Sequence, residues 1–434
     1  MTLDNATQNL IARRNNTIGR HSPLFYNTPL HLVHGEDVWV FDKQGKQYLD
    51  VYNNVPHVGH CHPKVVVALT EQAKTLNTHT RYLHENIINY VERLTSKFDD
   101  SLDMAMLTCT GSEANELALR MARHCTGGQG IIVTDFAYHG NTEAVSELGT
   151  AFMLEAKNTR RVRSIPIPDS YWGHNDLSGE PLTDYYIEQL EKAIQAFAED
   201  DIKFAGILIC PDFANEGLLN LPQGFMERAI VTVRAHGGLF IADEVQAGFG
   251  RSGKHWWAHQ HYGVTPDIVT LGKPMGNGHP IGGVVARADL IDNFAASSMY
   301  FNTFGGNPVS CAVGMAVLDV LEEEQLLENA LTTGRYVTEG LKALQQHHDV
   351  IGEVRDLGLF FGVEIIANGK PAPELARNII NTMKDNGVLI STIGKNNSIL
   401  KLRPAMTFQP MHGDILLETL DQALTSNKSN ADYN

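Results

Sequence analysis

The chain has 434 residues and carries 50 acidic against 34 basic side chains, a formal net charge of −16. That length exceeds a single typical domain and predicts two lobes, while the acidic balance argues against nonspecific binding to nucleic acid. Apolar residues at 43% and 38 glycines describe a globular enzyme with many tight turns, and exclude a disordered or fibrous chain.

Residues 1–60 read as the first part of a smaller lobe. Met1 to Arg20 is polar without an apolar signal-peptide core, and Val38 to Lys46 reads as a hairpin turning at Gly45. From about residue 100 to 290, short apolar runs alternate with helical patterns. Strands are expected at 105–110, 130–134, 206–210, 239–242, 268–271 and 283–286, with a helix over 112–124. Continuous apolar runs of this length mark strands buried on both faces, so the chain is expected to be α/β with a mostly parallel sheet covered by helices. From residue 308 the chain returns to the smaller lobe, with a long helix over 309–325, strands at 358–364 and 398–403, and a polar tail expected to fray after Thr425. The expected division is therefore 1–60, 61–307 and 308–434. Cys61, Cys109, Cys125, Cys210 and Cys311 lack paired spacing, and no stretch reaches the length of a transmembrane helix. A soluble cytoplasmic protein without nucleic-acid or membrane partners is expected.

The chemistry concentrates at strand ends. Asp267-Ile-Val-Thr-Leu-Gly-Lys273-Pro-Met-Gly-Asn-Gly delivers a lysine from an apolar strand into a Pro/Gly turn, which suits a Schiff-base lysine. Gly238-Leu-Phe-Ile-Ala-Asp243-Glu-Val-Gln246 ends a neighbouring run in a carboxylate. A lysine to hold an aldehyde and a carboxylate to keep a pyridine nitrogen protonated are what pyridoxal phosphate needs. Taken singly, such a lysine is more often a solvated loop residue, and such an aspartate a helix cap. Thr110-Gly111-Ser112 at a strand-to-helix turn suits a phosphate, or is an ordinary Ser N-cap. Tyr138, after the next strand, either lies against a planar ring or packs in the core.

Two other motifs mislead. Gly248-Phe-Gly-Arg-Ser-Gly253-Lys254 has P-loop spacing, but His255 stands where Ser or Thr should hold magnesium. His57, His60 and His62 have the residue type of a metal site, yet their close spacing and Pro63 strain joint ligation. They read as packed histidines in a turn, and no metal is expected.

Together these segments resemble the class III aminotransferases, fold-type I pyridoxal-phosphate enzymes, over nearly the whole chain. The ordered set Asp243-Glu-Val-Gln246, Thr270-Leu-Gly-Lys273 and Thr303-Phe-Gly-Gly-Asn307-Pro308 carries the resemblance. It implies pyridoxal 5'-phosphate on Lys273, with Asp243 at the ring nitrogen, Gln246 beside the ring hydroxyl, Gly111 and Ser112 at the phosphate, and Tyr138 stacked on the ring. It also implies that Thr303 reaches the phosphate of an adjacent subunit, in a homodimer with shared active sites or a higher assembly of such dimers. Arg403 matches the family's anion-binding arginine, which implies a small anionic amine as substrate.

Asn53 to Pro63, Gly272 to Pro280 and Phe301 to Cys311 are similar to the lyase branch of that family. That branch includes ethanolamine-phosphate phospho-lyase and 1-hydroxy-2-aminoethylphosphonate ammonia-lyase. One segment departs from the pattern: Cys210 and Asn215 fall where relatives carry glutamates, and Glu216 lies one residue on. If Arg403 is thereby left free, a permanently anionic substrate is expected. The departure tilts the expectation toward the phosphonate ammonia-lyase, with the phospho-lyase and an ω-aminotransferase as alternatives.

Overall fold

The computed structural model of the protein describes residues 4–151 and 160–431. Among these residues the central sheet has seven strands, in the spatial order Met104–Thr108, Gly282–Ala286, Ile268–Leu271, Leu239–Asp243, Phe204–Ile209, Gly130–Thr134 and Val162–Ile165. The last five run parallel, while Gly282–Ala286 runs antiparallel to both of its neighbours. Alternation along each strand serves two cores. Ile131 and Val133 pack with Leu117 and Met121 of the helix Gly111–Thr126, whereas Ile132 packs with Leu190 and Phe197 of the helix Gly179–Glu199. Burial on both faces is why these strands read as unbroken apolar runs.

The expected elements stand with shifted ends. The strand expected over 105–110 stops at Thr108, and the following helix begins at Gly111 with Thr110, not Ser112, as its N-cap. The strand expected from Gly358 starts at Phe361. Gly358 itself turns the chain with φ +61°, and a Cβ there would lie 2.3 Å from Arg251 O. The C-terminal helix Pro410–Ala431 does not stop at Thr425. Asn427 holds it, donating from Nδ2 to Ala423 O at 2.7 Å and to Thr382 Oγ1 at 3.2 Å. The hairpin turns at Gly45 as expected, and its second strand, Gln47–Asp50, pairs in parallel with Val388–Leu389. Segments from both ends of the chain thus share one sheet. Among the described residues no helix is long and apolar enough to cross a membrane.

The P-loop look-alike has a different job. Added Cβ atoms at Gly248, Gly250 and Gly253 would meet Trp257, Leu327 and Leu331 at 2.8, 2.4 and 2.5 Å, so these glycines permit close packing. Buried Arg251 donates to Leu359 O at 2.9 Å, Pro404 O at 2.7 Å and His57 Nδ1 at 3.0 Å, tying this loop to both chain ends. The three histidines part company: His57 bonds Phe249 O at 2.7 Å, His60 bonds Asp50 at 2.8 Å, and His62 bonds Glu324 at 3.0 Å.

Candidate active site

Lys273 follows Ile268–Leu271 and opens a single 3-10 turn, Lys273–Gly276. Its φ of +31° lies in the left-handed region, a strained position that the surroundings must enforce. Asn277 pins the turn to the N-terminal segment, accepting from Val58 N and donating to Gly59 O, both at 2.9 Å. Gly272 allows close approach on the other side, since a Cβ there would sit 3.0 Å from Gly111 N. Burial lowers the pKa of the Lys273 amine. Asp243 opposes that fall and the charge of Arg403 adds to it. A lowered pKa leaves more of the amine in its unprotonated, nucleophilic form.

Asp243 is held on both oxygens. His139 Nδ1 lies 2.7 Å and Asn115 Nδ2 3.0 Å from Oδ2, and Val245 N donates to Oδ1 at 3.0 Å. Asn115 is fixed in turn by the Thr270 hydroxyl at 2.6 Å and by donation to His139 O at 2.6 Å. Because a carboxylate only accepts, the His139 proton belongs on Nδ1. This is an orientated negative charge, suited to a protonated ring nitrogen.

At the start of Gly111–Thr126, the Thr110 hydroxyl accepts from Glu113 N at 3.2 Å, while Glu113 accepts from Cys109 N at 2.8 Å. The Gly111 and Ser112 amides lie in the first turn, where the helix offers no acceptor and the dipole favours an anion. Gly140 leaves room beside them, since a Cβ there would lie 2.6 Å from Ser112 Oγ.

Gly111, Ser112, Tyr138, Asp243, Gln246 and Lys273 line one cavity of about 230 Å³, whose wall also includes His139, Cys210 and Val245. Two expected residues are not brought into that wall. Thr303 is exposed, on a loop anchored through Asn302 Nδ2 to Glu113 at 3.0 Å. Arg403 is buried behind Gln246, donating to its Oε1 and, at 3.2–3.3 Å, to Tyr52 O.

Sequence reasoning missed Asn115, His139 and Lys401. The last has a legible signal, a lysine inside the apolar run Ile399–Leu402, and it is buried with Nζ 3.0 Å from Ala214 O and 3.3 Å from Gln246 Oε1. In the segment that departs from the family pattern, Asn215 bridges Gln246 to Tyr138 O. Glu216 turns away, accepting from Thr134 Oγ1 at 2.6 Å and Asn215 N at 3.2 Å, and burial raises its pKa to about 7. It does not compensate Arg403. The Cys210 thiol donates to Asp212 at 2.9 Å, and burial pushes its pKa well up, away from a reactive thiolate.

The Aminotransferase class-III family model matches residues 24–424. The chain belongs to the class III aminotransferases. This family depends on pyridoxal phosphate, and the cavity fits that group: an amine, a held carboxylate and an anion-ready helix start converge on it. The fold is that of a phospholyase from Arthrobacter in complex with phosphoethanolamine, at 47% identity and a TM-score of 0.94, covering 96% of this chain and 99% of that one. Among curated relatives, the alanine–glyoxylate aminotransferase 2-like protein of Drosophila melanogaster is 39% identical over 96% of this chain and 87% of its own. The ethanolamine-phosphate phospho-lyase homolog 1 of Caenorhabditis elegans is 35% identical over 96% and 93%.

Proposed function

We propose that the protein is a lyase that eliminates phosphate from a small aminoalkyl phosphate, with phosphoethanolamine as the substrate. The observation that carries this reading is the pair of basic side chains buried behind Gln246 of the cavity wall. Among the described residues, Lys401 and Arg403 hydrogen-bond to the neutral oxygens of Gln246, Ala214 and Tyr52 and to no carboxylate. A positive field of this kind draws a permanently anionic substrate. Likeness to the Arthrobacter phospholyase supports the same reading and moves the lead from the phosphonate substrate to the phosphate.

The geometry supports the following roles. Lys273 would hold the cofactor and, as the amine at the cavity wall, would serve as the base for the proton on the carbon that bears nitrogen. Asp243, held by His139 and Asn115, keeps a ring nitrogen protonated. Of the residues lining the cavity, Gly111 and Ser112 would hold the cofactor phosphate, Gln246 its ring hydroxyl and Tyr138 its ring. When bound, pyridoxal phosphate supplies the sink for the electron pair left on that carbon. The overall reaction would take phosphoethanolamine and one water to acetaldehyde, ammonia and phosphate. Thr303 completes the site of a second copy across a homodimer interface. Exposed Tyr82, Leu83, Met299 and Phe304 give its surroundings an apolar face for that copy.

The test is release of ammonia and phosphate from phosphoethanolamine by cofactor-loaded enzyme, with no keto acid added. Sustained release of both is expected. Ammonia from 1-hydroxy-2-aminoethylphosphonate alone would instead make the protein the phosphonate ammonia-lyase. Turnover only with a keto-acid acceptor would make it an aminotransferase, the activity named for the Drosophila relative.

A further inference from the structure

Gln246 is a cavity-lining side chain with an unusual back. Its Oε1 accepts from two cations at once, Arg403 Nη1 and Lys401 Nζ, the latter at 3.3 Å. Guanidinium and ammonium groups only donate, so the amide cannot turn over: oxygen faces the cations, and nitrogen faces Asn215 and the cavity. One Nε2–H goes to Asn215 Oδ1 at 3.3 Å, which leaves the second as a donor. Both cations are buried against the Phe360 ring, with Nζ of Lys401 at 5.4 Å and Cζ of Arg403 at 5.5 Å from its centroid. Long side chains are seldom buried this way without a carboxylate partner.

The charges facing the pair are few. Lys273 and Arg251 are the neighbouring positive groups, and Asp50, Asp212, Cys210 and Tyr52 are the acidic ones. Burial, reinforced by the charge of Arg403, holds the Lys401 pKa well below the ordinary lysine value. Burial also brings Arg403 down to about 10.

We propose that Arg403 and Lys401 are positioning residues for the cofactor that act through Gln246, fixing its amide so that an N–H donor backed by positive charge meets the ring hydroxyl oxygen and favours its anionic form. A cation bonded to the amide oxygen strengthens the N–H at the other end of the same dipole. The inference rests on the family's cofactor and not on the choice of substrate, so it stands whichever amine the enzyme consumes.

The experiment is a pH titration of the visible absorption band of the cofactor-loaded enzyme, in the absence of substrate. That band reports the proton shared between the ring oxygen and the Lys273 nitrogen. Positive charge nearby favours its loss, so Arg403→Met is expected to raise the midpoint by about one pH unit. Arg403→Lys should restore most of the shift. Gln246→Leu should also raise the midpoint, and Arg403→Met added to it should change little more. An unmoved midpoint in Arg403→Met with full cofactor content, or fully additive shifts in the double variant, would overturn the proposal. If Arg403→Met does not fold, Lys401→Met removes the other donor and is read in the same way. Whether phosphoethanolamine is turned over bears on the substrate alone and leaves this result untouched.

Discussion

His139 Nδ1 lies 2.7 Å from Asp243 Oδ2, and both side chains are buried at the wall of one cavity. A carboxylate kept there to face a protonated ring must be held in one orientation, and His139 with Asn115 does the holding. Loss of a hydrogen bond to a charged group costs roughly 1.5–3 kcal/mol. His139→Ala should therefore weaken cofactor retention by about 10- to 100-fold, from the same range. Dialysis followed by absorbance of the retained cofactor measures it, and retention equal to the parent enzyme would remove His139 from the role.

Lys273 carries a separate prediction. It is the amine at the cavity wall, and it is held at φ +31° by a turn that Asn277 anchors. Lys273→Ala should lower turnover by about 10³-fold or more, the scale of a lost general base together with a lost covalent anchor. The pH-dependent visible band should vanish in the same variant. Turnover retained within tenfold would rule Lys273 out as the reacting amine.

The legible parts of this protein were those where one residue type has few alternative reasons to stand at a strand end. Lys273 after Ile268–Leu271 and Asp243 closing Leu239–Asp243 were visible because both interrupt apolar runs. The edge strand Val162–Ile165 was not, because its half-exposed Val-Arg-Ser-Ile carries no apolar run. Asn115 and His139 look like ordinary polar residues of a helix and a loop. Only the sheet, which brings the end of Leu239–Asp243 between them, shows what they bind. Arg403 was legible as a cation for an anionic partner. That its guanidinium meets Gln246 first depends on side-chain packing, which no spacing encodes.

Glu216 makes stability depend on pH with a definite sign. Burial raises its pKa from the ordinary 4.5 to about 7, so the folded protein binds this proton more tightly than the unfolded chain. The contribution is fully present below about pH 4.5 and is lost as pH rises toward about 7, a change of roughly 3 kcal/mol. The stability advantage of the parent protein over Glu216→Gln should therefore shrink across that window. Paired denaturant titrations at pH 5 and 8 would reveal it, and an advantage that stays constant or grows with pH would contradict the assignment.

Thr303 sits beside a surface that a lone chain leaves uncovered. Leu83 is 99% exposed, Met299 87% and Phe304 70%, although Arg81 packs over Phe301 at 3.9 Å to stiffen the same region. Large apolar side chains gathered around one loop mark an interface more often than a bare surface. If a second copy covers them, Leu83→Lys with Phe304→Lys should convert a dimer to monomers in light scattering after size exclusion. The same pair should weaken cofactor retention, because Thr303 would no longer reach the neighbouring phosphate. Monomers that keep the cofactor as tightly as the parent would separate Thr303 from the site, and an unchanged dimer would place the interface elsewhere.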